Sequence, residues 1–421
     1  MGRSNTKWWM AAWLVAVCVT AHASGADPRL REAAQAEQPE VIATLHDLVS
    51  IESGSADRAG LAKIADYLDG RLHALGARVD RIPSSTGSAE LVRGVLEGKG
   101  ALKVMLIAHM DTVYDSGILA SEPYRRNGNL LYGPGIADDK GGVAVILHAL
   151  ALLRAQKWGN YARITVLFNP DEETGSPGSG ETIARLARQH DVVLSFEPSP
   201  AKAVIKDEGV LLSAAGTSEV TMTVQGRAAH AGAAPEQGRN ALIELAHQLL
   251  QTRDVAAGIK GAQLNWTTAE AGSVRNQIPQ SARAGGDVRV TELGANEKLQ
   301  AALRARVLQN PLVPDTTTTV TLVARRPIYV AGAKGKALAD MARSIYAELD
   351  GRPLLMHPGT NGGTDAGFAG RSGHAAVLEG LGLAGWGYHA KNEYIEIDSI
   401  VPRLYLAARM LIELGARASS P

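Results

Sequence analysis

The sequence predicts an α/β protein in which a mainly parallel β-sheet is interrupted by a smaller α+β domain. In the first and last parts of the chain, short apolar runs alternate with segments of helical periodicity, as in parallel strands covered by helices on both faces. In between, apolar residues alternate strictly, which is typical of antiparallel strands with one buried face. The expected division is 1–23 as a leader, 24–212 and 327–421 as the two parts of a larger domain, and 213–326 as the insertion.

The larger domain is predicted from alternating strand and helix signals. Apolar residues at helical spacing predict two opening helices, over 39–50 and 60–75. The elements that follow are, in chain order, strand 104–108, helix 142–156, strand 164–168, helix 181–189, strand 192–196, helix 336–349, a glycine-rich loop over 361–367, strand 375–379 and helix 399–414.

The inserted domain has a different order of elements. Its predicted elements are strand 220–224, helix 239–252, strands 262–271 and 282–290, helix 297–308 and strand 316–323. This β-α-β-β-α-β order predicts a ferredoxin-like arrangement, an antiparallel sheet with two helices on one face.

Composition limits the classes of function. A chain of 421 residues is long for one core, which favours two domains. Its 43 basic and 43 acidic side chains give no net field that would attract nucleic acid or an anionic membrane surface. The single cysteine, Cys18, can form neither an internal disulfide nor a thiolate cluster. Any metal must therefore be held by His, Asp and Glu.

The N-terminus has the pattern of an export signal. Arg3 and Lys7 precede an apolar stretch over 8–20, and Ala21 and Ala23 are the small residues that a signal peptidase reads. Cleavage is expected after Ala23, which predicts a periplasmic or secreted protein with no cysteine and no membrane attachment. The alternative is an uncleaved anchor, but an apolar stretch of about 13 residues is short for spanning a bilayer.

Acidic residues and histidines follow the predicted parallel strands. His109 and Asp111 follow the first strand, Glu172 and Glu173 the second, and Glu197 the third. Because ligands bind beyond the carboxyl ends of strands in such sheets, these loops are expected to converge. Two further glycine-rich loops carry the acidic pair Asp138 and Asp139 and the late histidine His389. Each residue alone could equally be a solvated loop residue, but five loops together predict one site.

The residue types at this edge favour a transition-metal site. Two imidazoles with several carboxylates and no thiolate suit zinc, cobalt or manganese better than calcium. Five ligands make a pair of metals plausible, with one bridging carboxylate and a water between them. Asp111 is placed to accept the second ring N–H of His109. Of the adjacent Glu172 and Glu173, one can bind metal while the other acts as general base.

Several motifs together resemble a known enzyme family. The sequence is similar to the di-zinc metallopeptidases that include glutamate carboxypeptidase, aminoacylase, acetylornithine deacetylase and succinyl-diaminopimelate desuccinylase, and most resembles the secreted, folate-hydrolysing glutamate carboxypeptidase branch. The motifs are His109-Met-Asp-Thr-Val113, Tyr132-Gly-Pro-Gly-Ile-Ala-Asp-Asp-Lys-Gly-Gly142, Asp171-Glu-Glu-Thr-Gly-Ser176, Ser195-Phe-Glu-Pro198, Gly362-Gly-Thr-Asp365 and Gly387-Tyr-His389.

The resemblance implies a role for each site residue. It implies two zinc ions per subunit, with Asp138 as the bridge, Glu173 and His389 completing one position, and His109 and Glu197 the other. Glu172 is implied as the general base, Asp111 as the residue that orients His109, and Asp138–Asp139 as a cis peptide.

The resemblance also implies a homodimer and a set of substrate contacts. The inserted domain corresponds to the family's dimerisation domain, and His230 to a histidine that reaches the active site of the partner subunit. The implied substrate-binding residues are Asn276, Arg289, Arg326, Gly363 and Thr364, with Lys206 as the nearest counterpart of a lysine that meets a glutamate side chain. The segment between Glu197 and Gly216 departs from the branch, which leaves strict glutamate preference open.

The predicted function is hydrolysis of the amide bond to a C-terminal amino acid, with glutamate as the expected residue, in folate-type, peptide or N-acyl substrates. The expected partner is therefore a small anionic molecule that contains an amino acid. One alternative is an aminoacylase-like deacylase of different specificity. Another is a non-catalytic dimeric binding protein.

Overall fold

The computed structural model describes residues 26–87 and 89–419. The leader expected over 1–23 and Cys18 lie outside the described residues. Among the helices of the described part, none has the length and apolar character of a membrane span.

Nine α-helices lie within the described residues. They are α1 Pro28–Val49, α2 Arg58–Ala74, α3 Lys140–Ala155, α4 Gly180–Ala187, α5 Ala241–Thr252, α6 Ala295–Gln309, α7 Ala333–Ala347, α8 Ala366–Gly370 and α9 Ile400–Ala418.

The strands form three larger sheets and several two-stranded pairs. They are β1 Arg78–Pro83, β2 Glu90–Glu97, β3 Lys103–His109, β4 Arg125–Asn127, β5 Leu130–Tyr132, β6 Arg163–Asn169, β7 Val192–Ser195, β8 Ser199–Pro200, β9 Gly209–Leu211, β10 Ser213–Ala214, β11 Gly216–Gln225, β12 Ala229–His230, β13 Ala262–Ala271, β14 Gln277–Ile278, β15 Ser281–Val290, β16 Thr317–Arg326, β17 Tyr329–Val330, β18 Leu355–His357, β19 Ala376–Leu378, β20 Ala384–Trp386 and β21 Tyr394–Glu396.

The central sheet contains six strands in the order β1-β2-β6-β3-β7-β19. Its last four strands are parallel, whereas β1 and β2 are antiparallel additions at one edge. Strands β3 and β6 are buried along most of their length, because helices pack on both faces of the sheet. The carboxyl ends of the parallel strands therefore meet at one edge.

The inserted part contains an antiparallel sheet in the order β13-β15-β11-β16. The inward side chains of β11 pack against apolar residues of α5 and α6 in a separate core that includes Val220, Met222, Leu245, Leu299 and Leu303. The chain order β11-α5-β13-β15-α6-β16 is the predicted β-α-β-β-α-β order. The segments that lead into and out of this part pair as β10 with β17. The residue boundaries of the domains stay predictions.

A five-stranded sheet in the order β4-β5-β21-β20-β8 lies beside the larger core. Strand β5 pairs with β21, and β21 with β20, so three distant chain segments meet here. The loop after β5 leads to Asp138, and the loop between β20 and β21 carries His389. This pairing brings those two loops together.

Some elements differ from the sequence prediction. Helix α1 begins eleven residues before Pro39, because the carboxylate of Asp27 accepts hydrogen bonds from the backbone N–H groups of Arg29 and Leu30 and Pro28 occupies the first turn. Pro39 is inside the helix rather than at its start. The hairpin β1–β2 was not predicted, and α8 begins at Ala366, at the end of the segment 361–367 that was predicted as a glycine-rich loop.

Candidate metal centre

The candidate site lies where the parallel strands end. His109 is the last residue of β3 and pairs in register with Asn169, the last residue of β6. Glu172 and Glu173 follow β6 in a short 3-10 helix, and Glu197 follows β7 by two residues. The common direction of these strands places the three donor segments side by side, as the sequence predicted.

Asp138 lies between the two histidines. One carboxylate oxygen, Oδ1, is 3.0 Å from Nε2 of His109, and the other, Oδ2, is 3.3 Å from Nε2 of His389. On the His389 side, the same imidazole nitrogen is 3.1 Å from Oε2 of Glu173. On the His109 side, Nε2 is 3.9 Å from Oε1 of Glu197. Each oxygen of Asp138 therefore faces a different imidazole, the arrangement expected of a carboxylate shared by two ions.

Two overlapping groups of donors are close enough to share an ion. Ligand atoms of His109, Asp138 and Glu173 lie within 4.8 Å of one another, and so do those of His109, Glu172 and Glu197. The nitrogen and oxygen donor set suits zinc and related divalent ions. One oxygen of Glu172, Oε1, is buried and forms an ion pair with Nη1 of Arg326 at 2.7 Å. These residues fit a divalent metal centre, although the second group includes the glutamate expected to be the base.

The electrostatics of the cluster also favour a cation. Burial raises the pKa of Glu172 and of Glu197 well above the ordinary glutamate value, and it raises the pKa of Glu173. Hydrogen bonds with Asp138 and Glu173 raise the pKa of His389 to about 10. Carboxylates crowded in a buried site favour any positive charge that neutralises them. A divalent cation would supply that charge.

Asp111 supports both sides of the site. Its Oδ1 lies 3.4 Å from Nδ1 of His109, whose ring nitrogen is also 3.0 Å from the Asp111 carbonyl oxygen. The carboxylate accepts hydrogen bonds from the backbone N–H groups of Glu172 and Glu173, each at 3.1 Å, and from the Ser55 hydroxyl at 2.7 Å. Asp111 is therefore placed to orient His109, and it also fixes the backbone of the glutamate pair.

Arg326 extends from the end of β16 to the glutamate pair. Its Nη1 lies 2.7 Å from Oε1 of Glu172 and donates to the carbonyl oxygen of Gly363 at 2.5 Å. Its Nη2 donates to the backbone carbonyl of Glu172. The side chain is only 7% exposed. The structure thus places this predicted substrate contact against the predicted general base.

A cleft of about 870 Å³ opens above the donors. Its lining includes most of the residues predicted for the site, which are Asp138, Glu172, Glu173, Glu197, Arg289, Arg326, Gly363, Thr364 and His389. His109 and Asp111 are buried beneath it. Trp386 and Tyr388, for which no binding role was predicted, also line the cleft, and their rings are in edge contact with centroids 5.1 Å apart. The sequence signal that could have identified them is the position of both aromatic residues just before the candidate ligand His389.

Three predicted residues, all within the described part of the chain, are not among the residues that line this cleft. His230 is exposed on β12, where its Nδ1 accepts hydrogen bonds from the N–H groups of Gly232 and Ala233. Asn276 is also exposed, and its carbonyl accepts from the N–H of Ala231, so it lies beside His230. Lys206 is exposed in a bend and is not among the lining residues of the cleft.

Comparison with known proteins gives consistent matches along most of the chain. Residues 105–413 match the model described as peptidase family M20/M25/M40. The chain is 44% identical over 404 residues to carboxypeptidase G2 of Pseudomonas sp. (strain RS-16), covering 95% of each chain. It is 27% identical over 385 residues to succinyl-diaminopimelate desuccinylase of Gluconobacter oxydans, covering 87% of this chain and 96% of that one.

Solved structures share the fold. The aminopeptidase PepT of Bacillus cereus superimposes with a TM-score of 0.71 at 20% identity, covering 90% of this chain and 98% of that chain. The metallo-carboxypeptidase Sso-CP2 of Sulfolobus solfataricus does so with a TM-score of 0.69 at 16% identity, covering 90% and 99%. The α/β fold class predicted from the sequence is confirmed.

Proposed function

The chain belongs to peptidase family M20/M25/M40, and from this premise we propose that it is a zinc-dependent exopeptidase that releases the C-terminal amino acid of a small substrate. The observation that carries the proposal is Asp138, whose two oxygens face His109 and His389 at the base of an open cleft. A carboxylate between two histidines can be shared by two ions, which suits a two-metal hydrolase.

The chain offers ligands for two zinc ions. His109, Asp138 and Glu197 would hold one ion, and Asp138, Glu173 and His389 the other. When bound, such ions polarise the scissile carbonyl and lower the pKa of water to about 7. The part played by the chain is to fix the ligands, and Asp111 does so by orienting His109 and holding the backbone of Glu172 and Glu173.

Glu172 is the residue proposed to move the proton. Its carboxylate lines the cleft beside the donor set and is held at one side by Arg326. As general base it takes a proton from the attacking water at a carboxylate oxygen, and it then delivers that proton to the leaving amine.

The C-terminal carboxylate of the substrate is proposed to bind Arg289. This side chain lines the cleft, and its Nε is 2.9 Å from Oδ2 of Asp287. Asp287 thus engages Nε, and the two terminal nitrogens of the guanidinium can face a planar anion. Gly363 and Thr364 line the same cleft and are proposed to contact the substrate.

A homodimer would complete the site. His230 and Asn276 lie together on the surface of the inserted part, away from the cleft of their own chain. The exposed apolar residues Leu242, Ile243 and Leu250 lie on α5 in the same part. Burial of such an apolar face against a second copy would carry His230 towards the cleft of the partner, where it would stabilise the oxyanion.

The side-chain preference at the C-terminus is proposed to be glutamate, in line with the carboxypeptidase G2 match. Lys206 is exposed and does not itself line the cleft, although Val204 and Ile205 directly before it do. Strict glutamate preference therefore stays open, and a second candidate is a deacylase that accepts N-acyl amino acids of other types. The desuccinylase match agrees with that candidate. Export with removal of 1–23 is proposed from the leader pattern.

One panel tests these functions together. Purified protein, zinc-loaded or metal-free, is assayed on folate-type, peptide and N-acyl substrates that end in Glu, Asp or a neutral residue. The expected result is zinc-dependent hydrolysis with the highest kcat/KM for Glu-terminated substrates, and a raised KM in the Arg289→Met variant. A preference for short-chain N-acyl substrates would favour the deacylase. Protein that binds no zinc, or binds it and hydrolyses none of the panel, would contradict the proposal.

A further inference from the structure

Two loops that carry proposed metal ligands are joined by one buried glutamate. The loop after β5 leads to Asp138, and the loop before β21 carries His389. Strand pairing of Tyr132 with Tyr394 continues through the N–H of Gly133, which donates to the carbonyl oxygen of Glu393 at 3.1 Å. The side chain of Glu393 then turns towards the Asp138 loop, and the residue is 2% exposed.

The carboxylate of Glu393 is surrounded by donors. Its Oε1 accepts from the backbone N–H groups of Ala137 and Asp138, at 2.8 and 3.0 Å. Its Oε2 accepts from the N–H of Gly135 at 2.8 Å. The Tyr114 hydroxyl lies 2.8 Å from the same oxygen and 2.9 Å from the carbonyl oxygen of Ala390, the residue after His389. Every one of these contacts touches a loop that holds a proposed ligand.

The arrangement of these hydrogen-bond donors makes the carboxylate of Glu393 hard to replace. Three backbone N–H groups are directed at the two oxygens, and only an acceptor at both places satisfies them. A glutamine has the same shape but presents an NH₂ group in place of one oxygen. At least one buried backbone donor would then face another donor, and the loop would shift to relieve that contact.

We propose that Glu393 is a positioning residue that holds the Asp138 loop against the His389 loop and thereby sets the affinity of the metal position formed by Asp138, Glu173 and His389. The inference rests on the two-metal site of the proposed function. It adds a residue that touches neither substrate nor ion and acts through the backbone of one ligand and the loop of another. Mutation of a residue that holds a metal ligand in place without contacting the ion typically lowers metal affinity by about 10–100-fold.

The test is zinc binding to the metal-free protein. Zinc is titrated into wild type and Glu393→Gln by calorimetry, and bound zinc is counted after dialysis. Wild type is expected to bind two ions, and Glu393→Gln to keep one and lose affinity for the other by about 10–100-fold. Its kcat should recover as free zinc is raised, with KM near the wild-type value. Wild-type affinity for both ions in Glu393→Gln would overturn the proposal.

The control is Glu396→Gln, three residues further along. Glu396 is also buried, at 6% exposure, but its carboxylate contacts Lys202: Oε1 accepts from the backbone N–H, and Oε2 is 3.8 Å from Nζ. Within the described residues its side chain makes no hydrogen bond or ion pair with either ligand loop. It is expected to bind both ions as wild type does. Equal loss of zinc in both variants would mean that any buried glutamate in or next to β21 matters, and the proposal would fail.

Two further variants make the outcome specific. In a His389→Ala background, which lacks the second position, Glu393→Gln is expected to weaken the remaining ion only through Asp138, and so by less than it weakens the second position in the wild-type background; an equal or larger loss contradicts the assignment. If Glu393→Gln does not fold, Tyr114→Phe decides, because it removes one contact and should weaken the same position to a smaller degree. A wild-type protein that binds fewer than two ions would instead refute the two-metal site itself.

Discussion

The guanidinium of Arg326 and the carboxylate of Glu172 form a buried ion pair, with Nη1 2.7 Å from Oε1 and side-chain exposures of 7% and 6%. The pair joins the end of β16 to the segment after β6, 154 residues apart in the chain. This ion pair holds Glu172, the residue proposed to move the proton, against the Arg326 guanidinium at the floor of the cleft. Arg326 therefore has a role at Glu172 in addition to the substrate contact implied by the sequence.

Replacing Arg326 with methionine should lower kcat more than it raises KM. The reason is that Glu172 would lose its partner while remaining buried, so its position and its pKa would both change. We expect kcat to fall by about 10²-fold, the lower end of the range for general acid–base catalysis. Arg325→Met is the control, since Arg325 is exposed and pairs with Glu219. A raised KM with an unchanged kcat would instead identify Arg326 as a substrate contact alone.

Replacing Glu172 with glutamine should abolish turnover and leave bound zinc unchanged. An amide cannot accept the proton of the attacking water, so kcat is expected to fall by about 10²–10⁴-fold. Steady-state kinetics and a metal count on the same sample provide the measurement. Glu181→Gln, at an exposed glutamate paired with Arg371, serves as the control. Loss of zinc with the loss of activity would assign Glu172 to the ligands, as its place beside His109 and Glu197 allows.

The His230→Ala variant should still form a dimer, but this dimer should be inactive. When it is co-expressed in equal amounts with Glu172→Gln, half of the dimers are mixed and each mixed dimer has one intact site, so about a quarter of wild-type activity should return. Size-exclusion chromatography with light scattering verifies the dimer, and each variant alone is the control. Absence of any recovery in verified mixed dimers would show that His230 does not act across subunits.

Glu208 should contribute to stability against acid. Burial raises its pKa, but Arg403, Tyr346 and Arg352 outweigh this and hold the pKa below the ordinary glutamate value. The Nε of Arg403 is 2.9 Å from Oε2, and the Tyr346 hydroxyl is 2.6 Å from the same oxygen. A lowered pKa stabilises the fold above the unfolded value of about 4.3, and this contribution is lost as the pH falls through the lower folded value.

Urea unfolding at several pH values measures this effect. Glu208→Gln should lower the free energy of unfolding at neutral pH by about 3–5 kcal/mol, because buried Arg403 loses its partner. The difference between variant and wild type should shrink as the pH falls below about 4.3. Glu40→Gln, at an exposed residue of α1, is the control. A difference that stays constant down to acid pH would contradict the assignment.

The fold was largely predictable because its signals are local. Strands β3, β6 and β7 are apolar runs, and α3, α5 and α9 have helical periodicity, so each could be found without knowledge of its neighbours. The hairpin β1–β2 was missed because Arg78–Pro83 lies at the edge of the sheet, is not an apolar run and carries half-exposed or exposed side chains. The start of α1 was missed because Pro39 is tolerated inside the helix, and a proline is more often found in its first turn.

The sequence by itself determined which residue types stand at the ends of the parallel strands, and hence that histidines and carboxylates would meet at one edge. Only the tertiary structure decided how they meet. It places Asp138 between two imidazoles, Arg326 against Glu172, Glu393 between two ligand loops, and His230 away from the cleft of its own chain. The physical reason is that the positions and order of strands and helices follow from local pattern, whereas contacts between residues more than a hundred positions apart depend on how sheets and loops pack. Glu393 is 255 residues from Asp138 in the chain, and packing alone brings them within 3.0 Å.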